Sequence, residues 1–455
     1  MTVALDTAGG STAGAMRRLA RLVADHGGAL TALAVRVGAA GLGYAMQIAL
    51  ARLMGAADYG AFAYAWAWLA VLGFSATLGL GQTSVRWLAH YHERGKPALT
   101  AGFLRWSIAV VAGGSVLVAV ATAALLWRVP HLVEAAFWLP MLMMAAIIPV
   151  FALGDLMEGC ARAHGRSLLA LAPAYLARPA LLVAALPLMS LAGVRPTASL
   201  AMLAALAATL LTVVVQLVLV LRLVKADVPP GTVPEYRGAT WAKAAAPVLA
   251  SDMVQLLRQN ADVLILAGFV PADRLALYFA ATRVASLLGL VEFAVGAAAG
   301  HRFARAATTA DDAGLARLVR TAAHLTFWPT LLGALALASL APFVLALFGP
   351  AYAAGSTLVT VLAAGYVFRA AIGPAEELLI MRGHALAAFA AQAAGLVVLV
   401  ALAALLVPVI GPMGAAMANA AALLMTTLAL ALACLRQTGV MPLPFPPAAL
   451  KDDTP

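Results

Sequence analysis

Apolar runs separated by short polar turns follow one another from about residue 30 to the end of the chain. A spanning helix needs about 20 mostly apolar residues. In lipid every backbone N–H and C=O has to be satisfied within the protein, which selects helices for runs of this kind. The runs also lack the period-two alternation of a membrane β-barrel. Twelve spans can be drawn, over Leu30–Met54, Ala61–Trp87, Gly102–Trp127, Glu134–Gly159, Leu168–Leu191, Ala198–Leu223, Thr240–Phe269, Ala276–Gly300, Ala322–Phe348, Ser356–Met381, Ala385–Val407 and Met413–Leu435. Pro173, Pro179 and Pro187 interrupt the fifth, and each removes a backbone bond and kinks the helix where no neighbour compensates.

Composition agrees with the pattern. Hydrophobic residues make up 64% of the chain and charged ones 11%, with a mean hydropathy of +0.97, against roughly a quarter charged in soluble domains. A net charge of +10 would suit nucleic acid, but its placement indicates topology and no nucleic-acid partner. The loops of one side carry nearly all the loop Lys and Arg, among them Arg86, Arg94, Lys96, Arg162, Arg166, Arg222, Lys225, Arg237, Arg317, Arg320 and Arg382. The other side has only Arg128, Arg195 and Arg274. The positive-inside rule then puts both termini in the cytoplasm. Residues 1–27, with Arg17, Arg18 and Arg21, precede an apolar run too long for a signal peptide and are expected to be an uncleaved cytoplasmic tail. The Pro-rich segment Val228–Pro234 is the longest internal break. It sets the expected organisation: a first six-helix bundle over 28–225, a linker over 226–239, a second bundle over 240–436 and a tail over 437–455. Cys160 and Cys434 lie far apart in the sequence, with no metal or disulfide role expected.

An even number of spans in each half would relate the halves by an axis along the membrane normal. The sequence carries a trace of such a duplication. Ala57–Phe62 is echoed by Ala272–Tyr278 with one insertion, Arg86 and Arg302 close equivalent helices, and Glu158…Gly165 and Glu376…Gly383 end the fourth and tenth spans alike.

Three segments carry a family resemblance. The first is the hairpin with Leu53-Met54-Gly55, a turn at Asp58-Tyr59-Gly60, Gly79-Leu80-Gly81 and the basic exit Arg86…Tyr91. The second is Asn260–Leu266 followed by Pro271, Leu277-Tyr278 and Arg283; the third is Ala341-Pro342-Phe343…Phe348-Gly349-Pro350-Ala351-Tyr352-Ala353. Together they resemble the polysaccharide flippase family of the multidrug/oligosaccharidyl-lipid/polysaccharide exporter superfamily. The resemblance implies an all-α integral membrane protein with about twelve transmembrane helices. These would form two six-helix bundles around a central cavity, moving by alternating access. It further implies a substrate, undecaprenyl-pyrophosphate-linked oligosaccharide, moved from the cytoplasmic to the periplasmic leaflet of the inner membrane. Related branches export cationic drugs or flip the peptidoglycan precursor. No catalytic motif is carried over.

Seven arginines fall inside spans: Arg36, Arg52, Arg105, Arg178, Arg258, Arg283 and Arg369. An arginine at the bilayer centre costs about 2.5–3.5 kcal/mol on insertion scales, so each must face a cavity, pair, or snorkel. Arg52 and Arg105 lie near span ends and suit snorkelling. Arg36, Arg178, Arg258, Arg283 and Arg369 lie deeper, where internal pairing and substrate contact are both open; Asp262, four residues after Arg258, is the obvious partner. Arginine suits a site for pyrophosphate because its planar fork binds phosphate bidentately. On the seventh span Asp252, Gln255, Gln259 and Asp262 form one polar stripe with Arg258 beside it, and on the first span Arg36, Gly43 and Gln47 share a face. Both stripes are expected to line the central cavity. The acids Asp252, Asp262, Glu292 and Glu376, and nearer a helix end Asp155 and Glu158, are either arginine partners or sites coupling transport to a proton or sodium gradient. Asn419 and Gln392 suit interhelical hydrogen bonding.

Tyr64, Trp66 and Trp68 read as an interfacial aromatic belt. His90, His92, His164 and His301 lack metal-ligand spacing and read as surface residues. There is no phosphate-binding Gly-x-x-x-x-Gly-Lys-Ser/Thr loop, so no ATPase is expected in this chain. No cofactor is expected, and the expected partners are the lipid-linked oligosaccharide, membrane lipids and a polysaccharide polymerase or export complex. A lipid-linked oligosaccharide flippase is the favoured reading. A multidrug cation antiporter is the alternative, opposed by the excess of arginine over acid in the spans. A membrane glycosyltransferase would need a large periplasmic loop, and every such loop is short.

Overall fold

The computed structural model describes residues 38–129, 134–306 and 312–444, and every regular element among them is a helix. In chain order these are α1 (38–54), α2 (Ala56–Ser75), α3 (Leu80–Glu93), α4 (Pro97–Arg128), α5 (Ala135–Ala163), α6 (Ser167–Ala172), α7 (Arg178–Leu191) and α8 (Ala198–Ala226). They continue with α9 (Gly238–Leu266), α10 (Ala272–Ser286), α11 (Gly289–Ala306), α12 (Asp312–Ala346), α13 (Ser356–Ala370), α14 (Ala375–Met381), α15 (Ala385–Ile410) and α16 (Pro412–Thr438). Ten helical spans are long and apolar enough to cross a bilayer. With α1 and α9, whose own apolar windows are shorter or more charged, they account for twelve crossings. In the first bundle α5 packs on α2, α3, α4 and α8; in the second α16 packs on α9, α13, α14 and α15.

The expected turn at Asp58-Tyr59-Gly60 is displaced. These residues belong to the first turn of α2, and the reversal after α1 is Gly55 alone, in a left-handed conformation with φ 85°. Three crossings drawn as single helices are broken. The second breaks between α2 and α3, where Leu78 and Gly79 both have positive φ and a Cβ on Gly79 would meet the Ala245 carbonyl of α9. The eighth breaks at Leu287–Leu288 and the tenth at residues 371–374, around Gly373 (φ 54°) and Pro374. The echo of Ala57–Phe62 in Ala272–Tyr278 therefore marks two helices that share a break as well as a sequence.

The fifth crossing survives its prolines. Pro173 has no N–H for the Leu169 carbonyl one turn back, and a π-type turn over Pro173–Ala177 joins α6 to α7. Gln216 of α8 supplies the missing donors, its Nε2 reaching the carbonyls of Leu169 at 3.1 Å and Ala170 at 3.2 Å.

The bundles meet along α2 and α10, the two echoing helices, with α9 packed on α2 and α3. The approach is close because Gly60 faces the Ala272 backbone, where a Cβ would overlap the carbonyl oxygen. Tyr59 is fully buried at this seam, edge-on to Phe279 and Tyr352, and Arg52 crosses it to the carbonyls of Ala346 and Leu347. Arg52 is thus a tie between bundles rather than a snorkelling residue. Just after the Pro-rich segment, Glu235 donates its N–H to the Ala98 carbonyl (3.0 Å), and at the start of α9 Trp241 donates to the Tyr91 hydroxyl (2.9 Å). That buried contact fixes the entry of α9 against the first bundle.

Candidate functional site

Where the eighth and tenth crossings break, α9, α10, α11, α13, α14 and α16 leave a cavity of about 420 Å³. Its wall is strongly polar: Gln255, Arg258, Gln259 and Asp262 from α9; Thr282, Arg283 and Ser286 from α10; Glu292 from α11; Tyr366 and Arg369 from α13; Glu376 and Glu377 from α14; Asn419 from α16. The breaks explain the composition. A discontinuous helix exposes backbone groups that lipid cannot satisfy, so such breaks persist where they line a polar space.

Two networks order this wall. Arg369 lies 2.7 Å from Glu292 and 3.2 Å from Glu376, and Gln392 of α15 donates to Glu376 at 2.6 Å. Asp262 accepts from the Tyr278 hydroxyl (2.6 Å), Asn419 Nδ2 (2.8 Å) and the Val263 N–H (2.8 Å). Gln392 and Asn419 thus bond between helices as expected, each onto a cavity carboxylate. Arg283 lies over the Phe279 ring at 4.4 Å. The Nε atoms of Arg258 and Arg283, Arg369 Nη1 and Glu377 Oε2 are buried without a hydrogen-bond partner among the described residues.

Of the residues the sequence proposed for the cavity, Gln255, Arg258, Gln259, Asp262, Arg283 and Arg369 line it together, with Glu292 and Glu376. Several expectations are corrected. Asp262 is held by Tyr278 and Asn419, not by Arg258, because it faces α10 and α16. Asp252 is not in this wall; its electrostatic neighbour is Asp155 of the first bundle. Gln47 is buried and accepts from the Tyr59 hydroxyl at 3.0 Å, so it serves the seam between bundles and does not line the cavity. Arg178 belongs to another cavity. Arg36 lies outside the described residues. Tyr366, Ser286 and Glu377 were not anticipated; the adjacent acids Glu376-Glu377 beside Gly373-Pro374 were the available signal.

A family model described as polysaccharide biosynthesis protein matches residues 27–305. The chain belongs to this family. A comparison with curated protein sequences finds no match. Among solved structures it is similar to the lipid II flippase MurJ in an inward closed conformation, at 14% identity and TM-score 0.70 over 89% of this chain and 87% of that one. It is also similar to an inward-facing multidrug resistance MATE family transporter of the MOP superfamily, at 14% identity and TM-score 0.66 over 88% and 94%. A MATE protein in complex with MaL6 gives 16% identity and TM-score 0.62 over 90% and 95%. At these identities the likeness shows the fold alone, an assembly of membrane-crossing helices in two bundles. Family and fold make the chain a multi-pass membrane protein of polysaccharide biosynthesis.

The first bundle of this family member holds a second, smaller cavity of about 210 Å³ between α2, α5, α7 and α8. Arg178 lies in it over the rings of Trp66 (5.3 Å) and Phe151 (5.5 Å), with Asp155, Glu158, Tyr175 and Gln216 in the wall. Trp66 is therefore a cavity wall, not a belt residue. Arg178 follows directly on the π-type turn, a feature that recurs at functional sites.

Proposed function

We propose that the protein is a flippase that carries an undecaprenyl-pyrophosphate-linked oligosaccharide from the cytoplasmic to the periplasmic leaflet of a bacterial inner membrane, with both termini in the cytoplasm. The supporting observation is that Arg258, Arg283 and Arg369 line one cavity while each keeps a buried guanidinium nitrogen with no hydrogen-bond partner among the described residues. A buried donor without a partner costs about 1–3 kcal/mol and more when charged, and a diphosphate recovers that cost through bidentate, charge-assisted bonds. Rocking of the bundles about the α2–α10 seam would expose the cavity alternately to the two sides, while the lipid tail stays in the bilayer. Asp262, Glu292 and Glu376 are the residues through which a proton or sodium gradient would act, and a polysaccharide polymerase or export complex is the partner that would take the product.

A second reading, cation antiport, draws on the same wall. The described carboxylates Asp262, Glu292, Glu376 and Glu377 outnumber the arginines Arg258, Arg283 and Arg369 there, so the excess of arginine in the spans does not extend to this cavity. Complementation of a deletion strain separates the two. On the flippase reading, loss of the protein accumulates lipid-linked oligosaccharide reachable only from the cytoplasmic side. Arg258→Ala and Arg283→Ala then fail to restore export, by tenfold or more at equal membrane abundance, with no change in dye resistance. Unchanged lipid-linked pools with raised sensitivity to cationic dyes would replace the flippase reading with antiport.

A further inference from the structure

Three helices of the first bundle end at one point on its arginine-rich face. His92 is in the last turn of α3, His164 follows α5 and Asp227 follows α8. His92 Nδ1 and His164 Nε2 each lie 3.0 Å from Asp227 Oδ2, and the three atoms fall within 4.8 Å of one another. His164 is buried, with 6% of its side chain exposed. The two histidines are therefore not independent surface residues, since they lie 72 positions apart in the chain and fold back to a shared carboxylate.

The hydrogen bonds of His164 identify what the cluster is built for. Its Nδ1 lies 2.8 Å from the Cys160 carbonyl oxygen, which can only accept, so Nδ1 carries the proton. Nε2 therefore faces a carboxylate oxygen at 3.0 Å, where either a proton on Nε2 or a cation held between the two atoms satisfies both. An imidazole that gives one nitrogen to a metal and donates the other N–H to a backbone carbonyl is the usual arrangement of a metal-binding histidine. Zinc ligands at about 2.0–2.2 Å from the ion stand about 3.3 Å apart across a tetrahedral angle, close to the two 3.0 Å separations here. The ends of α3, α5 and α8 add the negative poles of three helix dipoles, which favour a cation.

We infer that His92, His164 and Asp227 form a site for a divalent transition metal of the zinc class. Two imidazoles and one carboxylate select zinc, nickel or copper over magnesium and calcium. His92, with 57% of its side chain exposed, leaves solvent access for a fourth ligand. Asp227 is the last residue before the Pro-rich segment Val228–Pro234, so the ion ties the start of that segment to the first bundle, as the Trp241–Tyr91 contact ties the start of α9. The site lies outside the walls of both cavities described above.

The test uses full-length protein in detergent, with any affinity tag removed and metal stripped by chelator, titrated with zinc against a chromophoric competitor. The wild type and His90→Ala, two residues before His92 on α3 and outside the cluster, bind one zinc per chain. His92→Ala and Asp227→Asn weaken binding by more than the roughly 10–100-fold that losing an outer-sphere partner costs, while eluting as the wild type does in gel filtration. Millimolar magnesium does not compete. Absence of stoichiometric zinc binding by the wild type, or equal binding by His92→Ala and Asp227→Asn, overturns the site. Both results are independent of whether the protein flips a lipid.

Discussion

The cavities of the two bundles occupy related places in a duplicated fold and hold different chemistry. In the second bundle Arg369 sits between Glu292 and Glu376 and Asp262 is held by three donors, while Arg258 and Arg283 keep buried Nε atoms unbonded among the described residues. In the first bundle Arg178 lies over the rings of Trp66 and Phe151 with Glu158 as an electrostatic neighbour, and Glu158 also lies 3.6 Å from Arg162. Glu158 and Glu376, which the sequence echo aligns, each line the cavity of their own bundle. Each bundle thus encloses a carboxylate at a position the sequence echo matches, in a larger and more polar cavity in the second bundle and in a smaller one walled partly by aromatic rings in the first. The difference shows that backbone symmetry fixes where a polar residue can be buried, whereas its neighbours fix what it can bind.

The largest test of this contrast is Arg369→Ala. It leaves Glu292 and Glu376 buried without a counter-charge, and breaking such a pair costs about 3–5 kcal/mol. Thermal unfolding in detergent should show the largest loss of the variants named here, partly recovered by adding Glu292→Gln and Glu376→Gln. Gly373→Ala comes next. It places a Cβ 2.8 Å from Ala323 Cα at a φ of 54°, and an unfavourable backbone of this kind costs about 1–3 kcal/mol; unfolding temperature and export should fall together, because the break carries Arg369 and Glu376 on its two sides. For the first bundle, a double-mutant cycle between Arg178→Ala and Trp66→Leu should give a coupling of about 0.5–2 kcal/mol, the range of a cation over an aromatic face. A coupling near zero would remove the aromatic half of the comparison. Arg162→Ala should cost less than about 0.5 kcal/mol, as for other partly exposed i,i+4 pairs.

Much of the fold was legible in the chain because lipid imposes one rule on every crossing. Helix existence, order and approximate ends follow from apolar run length, and α15 at Ala385–Ile410 or α8 at Ala198–Ala226 needs little more. The breaks were not legible. Between α10 and α11 the chain passes through Leu287–Leu288, and the Gly289 that follows is one of many glycines in the spans and did not by itself mark a break. The prolines of the fifth crossing pointed the other way, since Gln216 on a different helix restores what Pro173 removes.

The candidate site divides in the same manner. A polar stripe on α9 was readable from its spacing, and Gln255, Arg258, Gln259 and Asp262 do line one wall. Partner choice was not readable. Spacing along one helix suggested Arg258 for Asp262, but the side chains that reach Asp262 come from residues 16 and 157 positions away. The histidines show the same limit, since ligand spacing in sequence is a guide only where the ligands share an element, and His92, His164 and Asp227 come from the ends of three.

The sequence by itself determined the solvent, the number of crossings, the duplicated plan and the residues too polar for lipid, because transfer into hydrocarbon is a property of each segment alone. Tertiary structure decided which of those residues share a cavity, which are spent on one another, and which, like Gln47, Arg52 and Gln216, hold the bundles in shape. Pairing depends on where helices end, break and cross, and those positions are set by contacts between segments that no single segment encodes.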